Sequence, residues 1–488
     1  MTPEIMSFSD LNLKLIAPEL CMTLLACVVL MMDVFCPKLS KPKLAYFSAA
    51  GMGLITLLII SYGIDGVGGT SFSGMFVLDP LAIFFKVFIL LSTILMILAS
   101  IDAMEKIPYF RGEYYFLLLF SALGMMFMVS ANDFLSLFIT LEFSTFGFYI
   151  LVAYLRDNLK SNEAAIKFFI LGALSAALIA YGISLVYGEA GTLLFDKIAA
   201  NPPTSSIGLT IGLLFIFIGI GYKLGAVPFH VWVPDVYQGA PTTVTAYLSV
   251  VPKAATFAIF LRVVFGTFLE LKTDWQWMIV SIAVLSMTYG NITAIAQKNM
   301  KRLLAYSGIS HIGTLLIGMA AGTAMGVESI LFYILTYLFA NIGAFVVVII
   351  FQNLTDKDEI EDFTGLNRRS PLMAFAMLIF LLSLAGVPPL AGFIGKVYVL
   401  AAAMHQGLIF IVVVALINMV ISFYYYLIIV KKIYSVEPKE YTPIHISTPL
   451  KVALYISIAG VILLGIWPNP FIEASVTATS VFTNLMPK

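Results

Sequence analysis

The stretch Gly221–Lys253, GYKLGAVPFHVWVPDVYQGAPTTVTAYLSVVPK, decides how the chain is read. It sets Lys223, His230 and Lys253 among prolines, and apolar runs long enough for lipid flank it on both sides. An ammonium at the centre of a bilayer costs roughly 3 kcal/mol or more. A chain that keeps two of them there uses them for something specific, and the expectation is that they carry protons.

Working outward, 61% of the 488 residues are hydrophobic and 11% charged. Soluble domains carry roughly 25% charged residues, so the composition excludes a soluble globule. The apolar runs approach the roughly 20 residues that cross hydrocarbon as a helix. The fold class is therefore an all-α polytopic membrane protein. Helices are expected near 12–35, 44–62, 80–101, 114–130, 133–155, 163–188, 208–228, 241–265, 276–296, 302–321, 327–352, 371–403, 409–430 and 450–467, about fourteen transmembrane spans. Met1–Asp10 lacks the basic start of a cleavable signal peptide, and 11–32 reads as a first span. Cys21, Cys27 and Cys36 match no zinc, haem or iron–sulfur spacing and read as apolar filler. The zero net charge argues against a nucleic-acid partner.

Basic residues set the expected orientation. Alternate connections hold Lys38, Lys41, Lys43, Lys106, Arg111, Arg156, Lys160, Lys298, Lys301, Arg302, Lys357, Arg368, Arg369, Lys431, Lys432, Lys439 and Lys451. The opposite side holds only Lys14, Lys197, Lys272 and Lys488. Seventeen against four puts the first set in the cytoplasm and both termini outside. Six basic residues remain inside spans. Lys86 and Arg262 lie nearer the helix ends, where snorkelling to the headgroups explains them. Lys167 is intermediate, and Lys223, Lys253 and Lys396 are deep.

A faint repeat links two of the deep lysines. Leu224–Pro228 reads LGAVP and Ala385–Pro389 reads AGVPP, each inside an apolar span and each near a lysine. The charge rule orients these two spans oppositely. Two Gly/Pro-broken helices in oppositely oriented halves point to inverted-topology repeats with an ion site at the breaks. Residues 1–488 thus read as one membrane domain. It divides into N-terminal helices over 1–111, a first repeat over 112–266, a second, inverted repeat over 275–434 and a C-terminal helix over 435–488.

Glu142 is the only acid in FLSLFITLEFSTFGFYILVAYL and needs a buried partner, which a lysine on a neighbouring helix supplies. At an effective dielectric of about 20, such a pair 6 Å apart interacts by roughly 3 kcal/mol. That is enough to decide whether a lysine holds its proton. One such pair could equally be a static clip between helices, but a single acid cannot neutralise three lysines. His230, Tyr306 and His311 could bridge gaps through water. Each also has a structural reading, as an interfacial anchor or a helix-start residue. Pro252, Pro228, Pro388 and Pro389 free backbone carbonyls at membrane depth. There is no phosphate-binding loop, dinucleotide fingerprint, CxxC or HExxH, so the chain is expected to perform no redox or hydrolytic chemistry itself.

The opening stretch, ITLEFSTFGFYIL around Glu142, QKNMKRLLAYSGISHIG around His311 and LSLAGVPPLAGFIGKVYVL around Lys396 together resemble a known family. It is that of the proton-translocating, antiporter-like membrane subunits of respiratory complex I. The resemblance covers nearly the whole chain and is closest to the smallest of three such subunits, because no long lateral helix follows Trp467. It implies that Glu142 and Lys223 form a modulating pair, that Lys253 connects, and that Lys396 lies nearer the outer half-channel. It also implies that Lys167 influences the pair and that His230, Tyr306 and His311 lie along the polar axis. The larger members have a histidine-rich axis, whereas this chain offers little beyond His311. The family implies a subunit of a proton-pumping NADH:quinone oxidoreductase, in a bacterial inner membrane, with other membrane and peripheral subunits as partners. FMN, iron–sulfur clusters and quinone belong to those partner subunits, and none to this chain. The alternative from the same residues is a subunit of a multi-subunit cation/proton antiporter.

Overall fold

In hydrocarbon every backbone N–H and C=O must be satisfied within the protein, so apolar runs fold as helices. A computed structural model describes residues 12–36, 39–107, 112–202, 206–438 and 441–483. Lys38, Arg111, Lys439 and Lys488 of the charge count, and the expected boundary at 111, lie outside the described residues.

The first helices are α1 (Ala17–Phe35), α2 (Lys41–Ile64), α3 (Pro80–Glu105), α4 (Glu113–Val129), α5 (Phe134–Val152) and α6 (Leu159–Ala190). A short hairpin, β1 (Gly69–Ser71) with β2 (Phe76–Leu78), separates α2 from α3, with Gly69 opposite Leu78. Next come α7 (Phe195–Ala200), α8 (Ile207–Leu224), α9 (Trp232–Gly239), α10 (Thr242–Leu261), α11 (Lys272–Ile295), α12 (Met300–Ala321) and α13 (Ala324–Thr355). The chain finishes with α14 (Leu366–Arg369), α15 (Pro371–Ala385), α16 (Ala391–His405), α17 (Ile409–Ser435), α18 (Thr448–Ile466) and α19 (Asn469–Thr479). Every stretch expected to be helical holds a helix. Among the described residues, twelve are long and apolar enough to cross a membrane, and α4, α15 and α16 are shorter apolar helices. The hairpin, α7 and α19 were not expected, being too short or too polar to read as spans.

Helices α10, α12 and α13 are buried on nearly all sides and form the centre of the bundle, whereas α6 keeps most of its surface for lipid. Small and β-branched residues in TTVTAYLSVVPKAATFAIFL let neighbours close around α10 from every direction. The expected interruptions are present. Helix α8 ends at Gly225, with φ +74°, and α15 ends at Gly386, with φ +89°. At both ends the same pair of bonds closes the last turn. Ala226 N–H and Val387 N–H reach back five residues, to Gly221 and Leu382, while Gly225 N–H and Gly386 N–H reach Tyr222 and Ser383. This Schellman closure needs a left-handed residue, which glycine supplies without steric cost. The breaks continue as Val227–Pro228 and Pro388–Pro389, both cis.

Pro252 lies inside α10 and has no N–H for the carbonyl of Leu248. That carbonyl accepts from the Tyr237 hydroxyl at 3.4 Å instead.

Lys86 and Arg262 correct the sequence reading, because neither snorkels. Lys86 and Glu19 of α1 are both 0% exposed and lie 2.6 Å apart. Arg262, at the start of a π-helical turn over Arg262–Thr267, grips Asp79 with both terminal nitrogens at 2.7 Å and donates through Nε to the Val129 carbonyl at 3.2 Å. Their partners were missed because the acids lie far away in sequence, Glu19 in the first turn of α1 and Asp79 at the N-cap of α3. Asp79 also caps α3 through Ala82 N–H at 2.8 Å. Asp79→Ala therefore removes a cap and leaves a guanidinium buried without its anion. The expected loss of stability is about 3–5 kcal/mol. Asp133→Ala, which removes a cap accepting from Leu135 and Ser136 but frees no buried cation, should cost about 0.5–2 kcal/mol. Thermal unfolding of the two variants in detergent compares them, and equal losses would mean that the Arg262 pair adds nothing.

Candidate functional site

The polar residues of the central helices fall into a row. At one end, Lys223, in the last turn of α8, donates from Nζ to Glu142 Oε1 at 3.0 Å and to Thr145 Oγ1 at 3.1 Å. Both acceptors sit on α5, one turn apart. A cavity of about 30 Å³ beside Lys223 is lined by Ser144, Thr145, Pro252 and Thr256. That is room for one or two water molecules. The cavity joins the Lys223 site to the proline of α10, next to Lys253.

Lys253 is 3% exposed, and its Nζ has no hydrogen-bond partner among the described residues. The Tyr237 ring lies 5.5 Å from Nζ, a cation–π separation. A methyl group built on Gly308 would stand 3.4 Å from Nζ and 3.0 Å from the Tyr337 hydroxyl, which is also unpartnered. Glycine at 308 thus keeps open the space between this ammonium and α12.

His311, one turn further along α12, is fully enclosed by hydroxyls. Its Nδ1 is 2.6 Å from the Tyr333 hydroxyl and its Nε2 3.3 Å from that of Tyr426. Tyr426 in turn pairs with Ser307. The ring is within electrostatic reach of both Lys253 and Lys396. His311 and Lys396 line the same small cavity with Asn291, Ser310, Thr314, Asn418, Ser422 and Tyr425. Lys396 itself finds no carboxylate among the described residues. Its Nζ donates to the carbonyls of Leu384 at 2.8 Å and Ala385 at 3.0 Å, the groups that the break in α15 leaves free. An ammonium on the open carbonyls of a half-helix is favoured by the helix dipole.

The structure thus brings Glu142, Lys223, Lys253, His311 and Lys396 into one row. The contacts of His230 and Tyr306 lead elsewhere. His230 lies in the break between α8 and α9, stacked edge-on against Tyr289, and Tyr289 packs on Tyr306. Tyr306 lies near Arg302 and Asp235. Lys167 is 42% exposed and pairs with Glu163 and with Asp235, each at 2.8 Å. Asp235 also holds Arg302 at 2.9 Å. Lys167, His230 and Tyr306 therefore border a second polar group centred on Asp235, which joins α6, α9 and α12.

Asp235, Arg302, Tyr333 and Tyr426 were missed as site residues. A signal for Asp235 existed: it stands ten residues after Gly225, as Lys396 stands ten after Gly386. The tyrosines carried none, since an isolated tyrosine in an apolar helix reads as core.

Gly386 tests how tightly Lys396 is held. Alanine at either Gly386 or Gly407, both at positive φ, adds backbone strain of roughly 1–2 kcal/mol. A methyl at Gly386 would also stand 3.0 Å from Lys396 Cδ, whereas nothing lies within 4 Å at Gly407. Gly386→Ala should lower the unfolding temperature more than Gly407→Ala, and equal shifts would mean that Lys396 has slack.

Comparison with known proteins follows the same lines. Residues 131–422 match the family described as NADH:quinone oxidoreductase/Mrp antiporter, TM. The NADH-quinone oxidoreductase subunit N of Desulforamulus reducens is 40% identical over 476 residues, 97% of this chain and 99% of that protein. A chain of respiratory complex I from Thermus thermophilus superposes with a TM-score of 0.80 at 30% identity, covering 94% of this chain and 99% of its own. A chain of the Mrp complex from Dietzia superposes with a TM-score of 0.87 at 19% identity, over 97% and 98%, a likeness of fold alone. The chain belongs to the NADH:quinone oxidoreductase/Mrp antiporter family of membrane proteins.

Proposed function

We propose that this chain is a proton-translocating membrane subunit of an NADH:quinone oxidoreductase, driven by electron transfer in other subunits. The observation that carries the reading is Lys253, a lysine buried in the centre of the bundle with no acid beside it among the described residues, on the route from the Glu142–Lys223 pair to His311 and Lys396. A passive scaffold has no use for an unpaired cation at that depth. Two cavities along the row, at Lys223 and between His311 and Lys396, leave room for the water that links fixed groups.

In this reading Glu142 sets the charge of Lys223. When Lys223 gives up its proton, water beside Pro252 passes it to Lys253, and the field of Glu142 decides whether Lys223 reloads. His311, poised between two tyrosine hydroxyls, hands the proton to Lys396 without a large motion. Lys396 is held by carbonyls alone, so it can release without breaking an ion pair. Lys167 tunes the first pair through Asp235. His230 and Tyr306 serve the side of the row nearer Arg302. The matching closures of α8 and α15 support two inverted repeats, 112–266 and 275–434, around this row. N-terminal helices over 1–111 and a C-terminal helix after 435 flank them. Protons move from the lysine-rich, cytoplasmic side outward across a bacterial inner membrane, and both termini lie outside. Flavin, iron–sulfur clusters and quinone are carried by partner subunits. The cation/proton antiporter alternative fits less well, since the likeness to Mrp rests on fold and the relatives at about 40% identity carry the subunit N name.

The test is proton pumping by the assembled complex in vesicles, with quinone reduction measured in parallel. Lys223→Ala, Lys253→Ala and Lys396→Ala should each assemble and each pump severalfold less than wild type. Unchanged pumping in all three would overturn the row.

A further inference from the structure

The central row does not use the most deeply buried ion pair in the chain. Glu19 of α1 and Lys86 of α3 touch at 2.6 Å, yet neither carboxylate oxygen nor the ammonium gains a further hydrogen bond among the described residues. The Phe76 ring covers the ammonium at 4.9 Å. Tyr62 of α2 is within reach of Glu19, and Asp79 and Arg262 are within reach of Lys86. The adjacent Asp79–Arg262 pair is built differently. Two parallel bonds, a helix cap and a backbone carbonyl use up its groups. One pair is finished as a clamp, and the other keeps spare donors and acceptors in a site closed to solvent. Buried polar groups are normally satisfied, and an exception calls for a reason.

The sequence of α3 adds a second, independent observation. Asp79, Lys86, Thr93 and Ser100 follow one another at seven-residue intervals, so they share one face of the helix. That face meets α10, which runs the other way. Thr93 Oγ1 is 2.8 Å from the Tyr247 hydroxyl. Tyr114, which bonds to Ser100, donates to Thr243 Oγ1 at 3.0 Å. Arg262 closes the far end on Asp79. At the near end, Thr242 and Thr243 line a polar cavity of about 390 Å³ together with Lys106, Lys160, Lys301 and Asp358. The seam therefore runs from that cavity through the bundle to Glu19.

We propose that Glu19 and Lys86 form a second proton-exchange site, fed from the polar cavity along the α3–α10 seam. It lies in the N-terminal helices, outside the 131–422 region that defines the family match. In one transfer the Lys86 ammonium gives its proton to the Glu19 carboxylate, leaving a neutral amine beside a neutral acid. The Glu19 acid then releases the proton toward the hairpin end of the bundle, and a proton arriving past Thr93 restores the ammonium. No charge is left over. Each seven-residue step is about 10 Å, a span of ~3 water molecules at hydrogen-bond spacing. The Asp79–Arg262 clamp keeps α10 against α3 while this happens.

This inference rests on the proposed pumping function, so both are measured in one assay. Complexes carrying Glu19→Gln with Lys86→Met, Thr93→Val, or Lys253→Ala are placed in vesicles, and protons pumped per electron are recorded. The double variant removes both charges while keeping shape, which a purely structural pair tolerates. The expected result is a complex that assembles and reduces quinone but pumps fewer protons per electron, with a smaller loss in Thr93→Val. A wild-type ratio in the double variant overturns the site, and a wild-type ratio in Thr93→Val overturns the seam. Should the double variant fail to assemble, Thr93→Val alone decides, because it removes only a hydroxyl. Normal pumping in Lys253→Ala would instead overturn the function on which the inference rests.

Discussion

A charge taken out of water must find an anion, a set of dipoles or a route to neutrality, and most of this structure follows from that constraint. Three buried lysines meet it in three ways. Lys223 has a carboxylate and a hydroxyl. Lys396 has two backbone carbonyls. Lys253 has an aromatic ring and open space. The second solution explains the fold as much as the site. Free carbonyls at membrane depth need a gap in the helix ladder, and α15 stops because Gly386 adopts a left-handed conformation that closes its last turn. The break is therefore part of the lysine's binding site.

The breaks also show how backbone polarity is handled where lipid offers no partner. In the first, Tyr222 carbonyl accepts from Trp232 Nε1 at 2.9 Å and Val227 N–H donates to Ser286 Oγ at 2.9 Å. In the second, Gly392 N–H donates to Ser383 Oγ at 3.1 Å. Side chains thus replace the missing ladder, from α9 and α11 at the first break and from α15 itself at the second. A break exposed to lipid could not be satisfied in this way.

What could be read from the residues follows the range of the interaction involved. The interruptions were legible because Gly and Pro act locally, on their own φ, ψ and N–H. The depth of Lys223, Lys253 and Lys396 was legible because span length fixes it. The pairing of Glu142 with a lysine was legible in kind, since a lone acid in a span needs a cation. Partners brought together by tertiary packing were not. Glu19 and Lys86 are 67 residues apart, and Lys86 alone was read, as a charge near a helix end. Asp235 was given no role, although it holds Lys167 and Arg302 together. The seven-residue row on α3 was visible in the sequence but masked by the surrounding Leu, Ile and Phe. A polar stripe one residue wide carries little weight in an average over the whole helix.

Helix α10 links these features, because its backbone is interrupted twice. Pro252 removes one rung of the ladder, and the turn at Arg262–Thr267 winds as a π helix. Such irregularities cluster at functional sites. Between them lies a short, regular segment that begins with Lys253. One end is fixed by the bidentate grip of Arg262 on Asp79, and the other by Asn341 donating to Ser249 Oγ at 2.7 Å and by the Tyr237 hydroxyl on the Leu248 carbonyl at 3.4 Å. Pro252 leaves the end that carries Lys253 one ladder bond short. A modest movement there matters because two charges about 6 Å apart in the protein interact by roughly 3 kcal/mol, while driving one charge against 100 mV takes about 2.3 kcal/mol. Interactions of that size within the row match the energy that each transferred proton must gain. Under the proposed function, a change of that size between Lys253 and the Glu142–Lys223 pair is enough to favour one direction of transfer.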